Sequence, residues 1–134
     1  MSSRQKGWKN RRKCIVWLQD NGFIADTVEK TGKFATQKDM FGLWDIVAMN
    51  ETRMKFIQVT SNRHHTHKPY RDFSKHYRLP NLSLEQWVWI DRKGWRIFEY
   101  FGGAIFEKEF ITVKQLREGE VSEEQEEGTN SISQ

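Results

Sequence analysis

An aspartate and a glutamine occupy facing positions of a predicted β-hairpin. Two strand-like segments, residues 43–49 and 54–60, flank a four-residue polar turn. An unbulged hairpin with this turn places Asp45 directly across from Gln58, and directly opposed side chains share a sheet face at about 5 Å between Cβ atoms. Thr60 lies at the same end of the hairpin. The spacing therefore gathers a carboxylate, a carboxamide and a hydroxyl at one end of an otherwise apolar hairpin.

Oxygen atoms of this kind are suited to a divalent cation. Mg²⁺ prefers about six oxygen ligands and usually keeps several waters, so one or two protein carboxylates suffice. Asp45 would supply an anionic oxygen and Gln58 a neutral carbonyl oxygen. Asp39 on the preceding loop and Glu29 at the end of the first predicted strand are candidates for a second carboxylate. The alternative is structural: a turn-capping aspartate and an ordinary polar strand residue.

Helices and further strands must surround this hairpin. Hydrophobic periodicity, the Asn21-Gly22 helix stop and Pro69 at a helix start set their limits. The order favours an α/β (α+β) fold in which helices pack on a small mixed sheet. The predicted elements are a helix over 9–20, strands at 23–28, 43–49 and 54–60, a helix over 69–79, strands at 87–90 and 95–98, and a final strand and short helix within 104–116.

Composition limits the class of protein. The 134 residues fit one domain, and 9 Phe, 6 Trp and 3 Tyr can fill a modest core. The single cysteine, Cys14, excludes an internal disulfide framework and a multi-cysteine zinc site, which fits a reducing, intracellular setting. No uncharged apolar run approaches the length of a bilayer span, and no secretory signal follows the basic N-terminus. We therefore expect no membrane partner.

Charge is divided unevenly along the chain. All 22 Lys and Arg lie within residues 1–117, together with 12 of the 18 acidic residues, which gives that part a formal charge of +10. The other six acidic residues give residues 118–134 a charge of −6. We predict a single basic domain over 1–117 and an acidic disordered tail over 118–134. The basic domain favours nucleic acid as a partner, with charge that serves solubility alone as the alternative.

Three groups of basic residues are candidates for nucleic-acid contact: an N-terminal cluster, a stripe on the second helix and the predicted loops. The stripe is equally consistent with a solvated helix face. A run of histidines, His64, His65 and His67, lacks the cysteines or carboxylates that would complete a zinc site, so phosphate contact or solvent exposure is favoured. The candidate contacts are Lys6, Lys9, Arg12 and Lys13 in the cluster, Arg71 and Lys75 in the stripe, and Lys33 and Arg63 in the loops.

The order of elements and the hairpin residues resemble the PD-(D/E)XK nuclease superfamily, and within it the small archaeal and phage Holliday junction resolvases. In those proteins the first hairpin strand begins with Asp and the second ends in Glu-x-Lys. This chain carries FGLWD at 41–45 and QVT at 58–60, after a KGW start at 6–8 and a basic helix. Asp45 matches unaltered, whereas Gln replaces the motif Glu and Thr replaces the motif Lys. The resemblance covers about residues 6–79.

The resemblance implies a restriction-endonuclease-like αβββαβ core, with a mixed central sheet flanked by helices. It also implies phosphodiester hydrolysis that depends on Mg²⁺ or Mn²⁺. The backbone carbonyl of Val59 would then join Asp45 and Gln58 as a metal ligand. A neutral glutamine weakens such a site, because it lacks the Coulombic attraction that a second carboxylate would add. Asp39 is a candidate to supply that missing negative charge.

The lysine of the resembled motif has no counterpart in this hairpin. In such enzymes it orients the attacking water and stabilises charge that develops on the phosphate. Thr60 stands at that position and can donate a hydrogen bond, but it carries no charge. The acidic residue that these enzymes often carry on the first helix is also missing, and basic residues stand near that place. Candidates for a replacement cation are Lys38, Lys33 and Arg63.

Together with the basic charge, the resemblance implies a metal-dependent DNA endonuclease, acting on branched DNA such as Holliday junctions in the cytoplasm of a prokaryotic or virus-infected cell. The resemblance implies a homodimer with two sites across one junction. One alternative is a catalytically degenerate DNA-binding protein of the same fold, motivated by the missing Glu and Lys. Another is a basic RNA-binding module, for which the sequence holds no RNP, KH or zinc-finger signature.

Overall fold

The computed structural model describes residues 3–28 and 39–117, with side chains described from Gly7 onward. The elements are α1 (Ser3–Asp20), β1 (Ile24–Thr27), β2 (Ile46–Met49), β3 (Met54–Ser61), α2 (Lys68–His76), β4 (Leu82–Ile90), β5 (Gly94–Phe101), β6 (Ala104–Glu107), β7 (Ile111–Thr112) and a short helix α3 over 113–117. Predictions that lie outside the described residues are those for Glu29, Lys33, Lys38, the side chain of Lys6 and the acidic tail 118–134.

Strand pairing gives a seven-stranded mixed sheet in the described part of the chain. The order is β1-β2-β3-β4-β5-β6, and β7 pairs with the start of β5. The pair β3–β4 is parallel, from Met54↔Leu82 to Ser61↔Trp89, whereas the other pairs are antiparallel. Parallel neighbours need a crossover connection, and α2 forms it.

The sheet separates two hydrophobic clusters. On one face, α1 packs Leu18 toward Ile57 and Trp95. On the other, Tyr70 of α2 packs with Trp44 from the turn before β2. The predicted αβββαβ order and mixed sheet flanked by helices are therefore confirmed. Among the helices described, none combines the length and the apolar character that a bilayer crossing requires.

The first helix is longer than its apolar pattern predicted. α1 begins at Ser3 rather than Lys9, because Arg, Gln and Lys are good helix formers that continue the helix beyond its packed face. Burial of that face begins at Asn10. Trp8, before the first buried residue of the helix, is 60% exposed.

Two strands also begin elsewhere than predicted. β4 begins at Leu82 rather than Trp87, because its parallel pairing follows the whole length of β3. β2 begins only at Ile46, because the preceding residues form a tight turn that is closed by a bridge between Met40 and Trp44. This turn buries the Trp44 side chain completely and leads directly into Asp45.

The C-terminal end of the described chain closes against β5 at a glycine. Gly94 pairs with Thr112 of β7, and the Val113 N–H donates to the Lys93 carbonyl oxygen at 2.9 Å. Gly94 has a φ of 133°, and a Cβ atom on it would lie 1.9 Å from the Ile111 carbonyl oxygen. Both the backbone angle and the close approach require glycine.

Candidate functional site

A β-bulge at the start of β2 positions Asp45. The predicted hairpin register is confirmed along β2. It changes at Asp45, whose N–H donates to the Ile57 carbonyl oxygen at 3.0 Å, so that Asp45 and Ile46 both face Ile57. The expectation that Asp45 lies directly opposite Gln58 is therefore wrong, because it assumed a hairpin without a bulge.

The bulge turns the Asp45 carboxylate toward the backbone of β3. The Val59 N–H donates to Asp45 Oδ1 at 3.2 Å. The N–H and C=O of one strand residue point to the same side of the strand, so the Val59 carbonyl oxygen also faces Asp45. The Gln58 amide lies beside that carbonyl, with Nε2 at 3.4 Å from the oxygen. The Asp45 carboxylate and the Gln58 amide thus both contact the Val59 backbone, by a route that the sequence did not predict.

Two buried polar atoms of β3 have no hydrogen-bond partner among the residues that the structure describes. They are Gln58 Oε1 and Thr60 Oγ1, and the two residues are 7% and 8% exposed. Buried polar atoms are nearly always paired with protein, water or an ion. The unpaired Gln58 amide oxygen, next in sequence to the residue whose N–H binds the Asp45 carboxylate, is therefore a candidate ligand for a hard cation.

The electrostatic state of Asp45 is consistent with such a ligand. Burial raises the pKa of Asp45 from 3.8 to about 7, and the side chain is 6% exposed. The Arg11 charge and the Val59 hydrogen bond lower this pKa, whereas the Asp39 charge raises it further. A carboxyl group near its midpoint at neutral pH binds either a proton or a cation, and the two compete.

Helix α1 reaches the site through two neighbouring residues. The buried Asn10 donates from Nδ2 to Ser61 Oγ at 2.5 Å, which fixes the helix against the end of β3. Arg11, next in sequence and partly buried, is thereby placed where its charge acts on Asp45. The sequence analysis did not select either residue for the site. The available signal was the helical spacing of Arg11 from Cys14, which is buried on the same face.

A buried polar network adjoins the site on β4. Gln86 is the register partner of Gln58 and is fully buried. Its Nε2 donates to the Tyr100 hydroxyl at 2.7 Å, and its Oε1 accepts the His65 N–H at 2.5 Å. Sequence reasoning missed Gln86, because the parallel register that places it beside Gln58 has no local sequence signature.

The predicted nucleic-acid contacts are distributed over both helices and the loop after β3. Some of them also have structural contacts. The Lys13 Nζ lies 4.0 Å from the Trp89 ring centroid, and the Arg71 Nε donates to the Gly103 carbonyl oxygen at 2.8 Å. The exposed members of the predicted set are Lys9, Arg12, Lys13, Arg63, Arg71 and Lys75.

The donor set fits a divalent cation with few protein ligands. Asp45 offers one negative charge, and Val59 and Gln58 offer neutral oxygens. Asp39 adds negative charge close enough to raise the pKa of Asp45. In the ranges 7–28 and 39–117, no group of three His, Cys, Asp or Glu side chains is arranged to hold a metal. Oxygen donors of this type favour Mg²⁺ or Mn²⁺ over zinc.

Comparison with known proteins identifies the fold. A scan against protein-family models finds no match, and a search of the curated proteins finds none either. Among solved structures, the chain is similar to the 1.6 Å structure of Hjc, a Holliday junction resolvase from the archaeal hyperthermophile Archaeoglobus fulgidus. The TM-score is 0.51 at 21% sequence identity, over 69% of this chain and 76% of that one. The chain has the fold of this resolvase.

The resolvase fold confirms the resemblance seen in the order of elements. The helix, strand, hairpin and crossover helix that the sequence predicted are α1, β1, β2–β3 and α2. In this structure β2 and β3, which form the hairpin next to Asp45, are neighbouring strands of the sheet. The roles assigned to the motif residues stay predictions.

Proposed function

We propose that this chain is a metal-dependent endonuclease that hydrolyses phosphodiester bonds in branched DNA, such as Holliday junctions. The observation that carries the proposal is the unpaired, buried Gln58 Oε1 on the strand whose Val59 N–H binds the Asp45 carboxylate. The fold shared with an archaeal resolvase supports the choice of substrate class.

Each residue of the site has a role that follows from its chemistry. Asp45, Gln58 and Val59 would hold Mg²⁺ or Mn²⁺, with Asp39 as a further carboxylate. A divalent cation held there would neutralise phosphate charge and lower the pKa of an attacking water. Thr60 has a buried hydroxyl with no partner in the described part of the chain, and in this proposal it would donate a hydrogen bond to a phosphate oxygen.

The missing lysine is compensated by another cation in this proposal. Lys38 and Lys33 keep that role as predictions outside the described residues. Arg63 is exposed in the loop after β3, three residues beyond Thr60. Substitution of each by glutamine would identify the cation, because only the correct one should lower the cleavage rate more than the binding affinity.

The basic surface would hold the DNA backbone. Lys9, Arg12 and Lys13 on α1, with Lys6 in its first turns, form one contact area, and Arg63, Arg71 and Lys75 form another. Action on a four-way junction requires two sites, so a homodimer in an intracellular setting is part of the proposal. Residues 1–117 would form the nuclease domain, with 118–134 as an acidic appendage.

A second candidate function is branched-DNA binding without cleavage. The observation that favours it is Arg11, whose positive charge acts directly on Asp45. A guanidinium at this place competes with a divalent cation for the same carboxylate. In that case the basic surface and the fold would be retained for binding alone.

The two functions separate in one experiment. Labelled four-way junction, duplex and single-stranded DNA are incubated with the protein in Mg²⁺, Mn²⁺ or EDTA. The endonuclease predicts metal-dependent cutting of the junction. Asp45→Asn should reduce it by about 100-fold or more, since losing even an outer partner of a ligand typically costs 10- to 100-fold.

The matched control is Asp26→Asn, an exposed carboxylate on β1 that should leave cutting unchanged. Tight junction binding with no cutting in either metal would favour the second function. Cutting that survives Asp45→Asn would contradict the proposed site, and a strong preference for RNA would contradict both functions.

A further inference from the structure

Two histidines of the loop after β3 are stacked face to face. The His64 and His67 rings have centroids 4.1 Å apart at an interplanar angle of 15°. Both rings contact Phe98 edge-on, at 5.4 Å and 4.7 Å between centroids. His64 is exposed and His67 is partly buried, so the outer ring of the pair faces solvent.

Hydrogen bonds fix the inner ring of this histidine pair. His67 Nδ1 lies 2.7 Å from the Tyr100 hydroxyl, which also accepts a hydrogen bond from Gln86 Nε2. The Tyr100 hydrogen is therefore available to Nδ1, which leaves His67 Nε2 for another partner. The loop itself is held by the His65 N–H, which donates to Gln86 Oε1.

The charges around the histidine pair are mainly positive. Burial lowers the pKa of His67 from 6.5, and the charges of His64, Arg96 and Arg71 lower it further. The Arg96 guanidinium lies 4.8 Å from the Phe98 ring centroid. The nearby acids have partners of their own: Glu107 pairs with Arg96, and Asp72 pairs with Lys68.

We propose that the His64–His67 pair binds a backbone phosphate of nucleic acid, and that the phosphate is bound together with a proton. Without an anion, protonation would place two cations in contact, beside two arginines, which is unfavourable. A phosphate between the rings and the arginines reverses this balance, because each added proton then has a negative partner. Binding of the phosphate and protonation of the pair are therefore linked.

The position of the pair suggests which phosphate it takes. The loop leaves β3 directly after Thr60 and Ser61, and it is bonded through Gln86 to the strand beside Gln58. The pair therefore lies in the loop that directly follows the end of β3 carrying Thr60, a residue of the candidate cleavage site. As a subsite for a second phosphate of the same DNA, it rests on the proposed function, whereas proton-linked phosphate binding does not.

Binding is measured without cleavage, so that the outcome is independent of the nuclease proposal. Fluorescence anisotropy with a duplex and a four-way junction is recorded in EDTA from pH 7.5 to 5.5 at constant ionic strength. Asp45→Asn serves as the parent protein, since it removes the titration of Asp45 from the measurement. One proton taken up per complex changes affinity by at most tenfold per pH unit.

We expect the affinity of the parent to rise about tenfold over this range. The added His64→Gln, His67→Gln double substitution should remove most of that rise and leave affinity at pH 7.5 within about twofold. His76→Gln is the matched control, an exposed histidine at the end of α2, and it should titrate like the parent. His64→Gln alone provides a second variant, because His64 is exposed and its loss should not disturb folding.

A direct measurement uses the histidine Cε1–H NMR signals with inorganic phosphate as the probe. Phosphate should raise the pKa of His67 and leave that of His76 unchanged. The proposal is contradicted if the affinity of the parent is independent of pH, if the double variant titrates like the parent, or if phosphate does not shift the His67 signal. Proton-linked binding without cleavage in Mg²⁺ would support this subsite and contradict only the nuclease.

Discussion

Two carboxylates are buried in the same sheet, and their surroundings differ in kind. Glu85 on β4 is fully buried, yet its carboxylate contacts the Lys55 and Lys108 ammonium groups at 2.8 and 3.5 Å and the Trp87 indole N–H at 2.8 Å. Burial raises the pKa of Glu85, but the lysine charges outweigh it and hold the pKa below 4.5. Asp45 accepts the Val59 N–H at 3.2 Å, and burial raises its pKa to about 7.

The comparison separates buried polar groups that have hydrogen-bond partners from buried polar groups that lack one among the described residues. Gln86 and Ser74 are buried and hydrogen-bonded on more than one side. Gln58 and Thr60 are buried near Asp45, with oxygens that lack a partner among the described residues. Among the described residues, the indole nitrogens of Trp44 and Trp95 also lack a partner, so β3 holds two of the unsatisfied atoms rather than all of them.

The largest change in stability should come from removing the charge of Glu85, the carboxylate that has lysine partners. Glu85→Gln leaves two lysines near an uncharged amide, and breaking a buried pair costs about 3–5 kcal/mol. Urea unfolding at pH 7 measures this loss of stability. The contribution is present above pH 4.5 and lost as the pH falls through the lowered pKa, so the two proteins should converge in acid. Glu99→Gln, at the partly exposed partner of Lys108, should cost less than about 1 kcal/mol.

Asp45→Asn should raise the free energy of unfolding, whereas Glu85→Gln should lower it. The folded protein holds this carboxyl group with a raised pKa, so the wild type loses stability as the pH rises from about 4 through 7. At pH 8 in EDTA, the variant should be more stable by up to about 4 kcal/mol, at about 1.4 kcal/mol for each unit of pKa. The gain should shrink toward pH 4. Equal unfolding curves for the two proteins at pH 8 would show that Asp45 is not under electrostatic strain.

Gln86 on β4 and Gln58 on β3 allow the same comparison between a hydrogen-bonded amide and one whose oxygen lacks a partner among the described residues. Gln86→Leu leaves the Tyr100 hydroxyl and the His65 N–H without their partner and should cost about 2 kcal/mol. Gln58→Leu should change stability by less than about 1 kcal/mol, yet weaken Mn²⁺ binding in calorimetry. A loss of stability as large as that of Gln86→Leu would make Gln58 a structural residue.

The smallest changes in stability are expected when the hydroxyl groups of Thr60 and Ser74 are removed. Thr60→Val removes a buried hydroxyl with no partner in the described structure and should stabilise the fold by about 0.5 kcal/mol. Ser74→Ala removes a hydroxyl that donates to the Arg71 carbonyl and accepts the Gly103 N–H, so it should cost about 1 kcal/mol. Thermal unfolding compares both with the parent. A destabilising Thr60→Val would reveal an internal role for that hydroxyl.

The sequence predicted the architecture because its strands and helices carry local signals. Two strand-like segments around a polar turn defined the β2–β3 hairpin, and its register is confirmed along β2. Pro69 marked the start of α2 within one residue of its observed start, Lys68. Signals of this kind depend on neighbours in sequence, so one chain suffices to read them.

The geometry of the site depends on contacts that are distant in sequence. The bulge at Asp45 changes which atoms face each other, although a regular hairpin is the simplest reading of the pattern. The parallel register of β3 and β4 places Gln86 beside Gln58, 28 positions away along the chain. The link between Asn10 and Ser61 fixes Arg11 near Asp45. None of these follows from spacing, so residue types were predictable and their atomic arrangement was not.

The close approach at Gly94 joins β7 and α3, the last described elements, to β5, so one substitution can test that junction apart from the rest of the sheet. An alanine methyl group would need the space of the Ile111 oxygen, whereas the long β4–β5 ladder does not depend on that contact. Replacing Gly94 is therefore expected to separate β7 from β5 and to leave β7 and α3 as a strap held by the packing of Ile111, Val113 and Leu116 on the core. Such a strap would become sensitive to limited proteolysis while the hairpin that carries Asp45 stays folded.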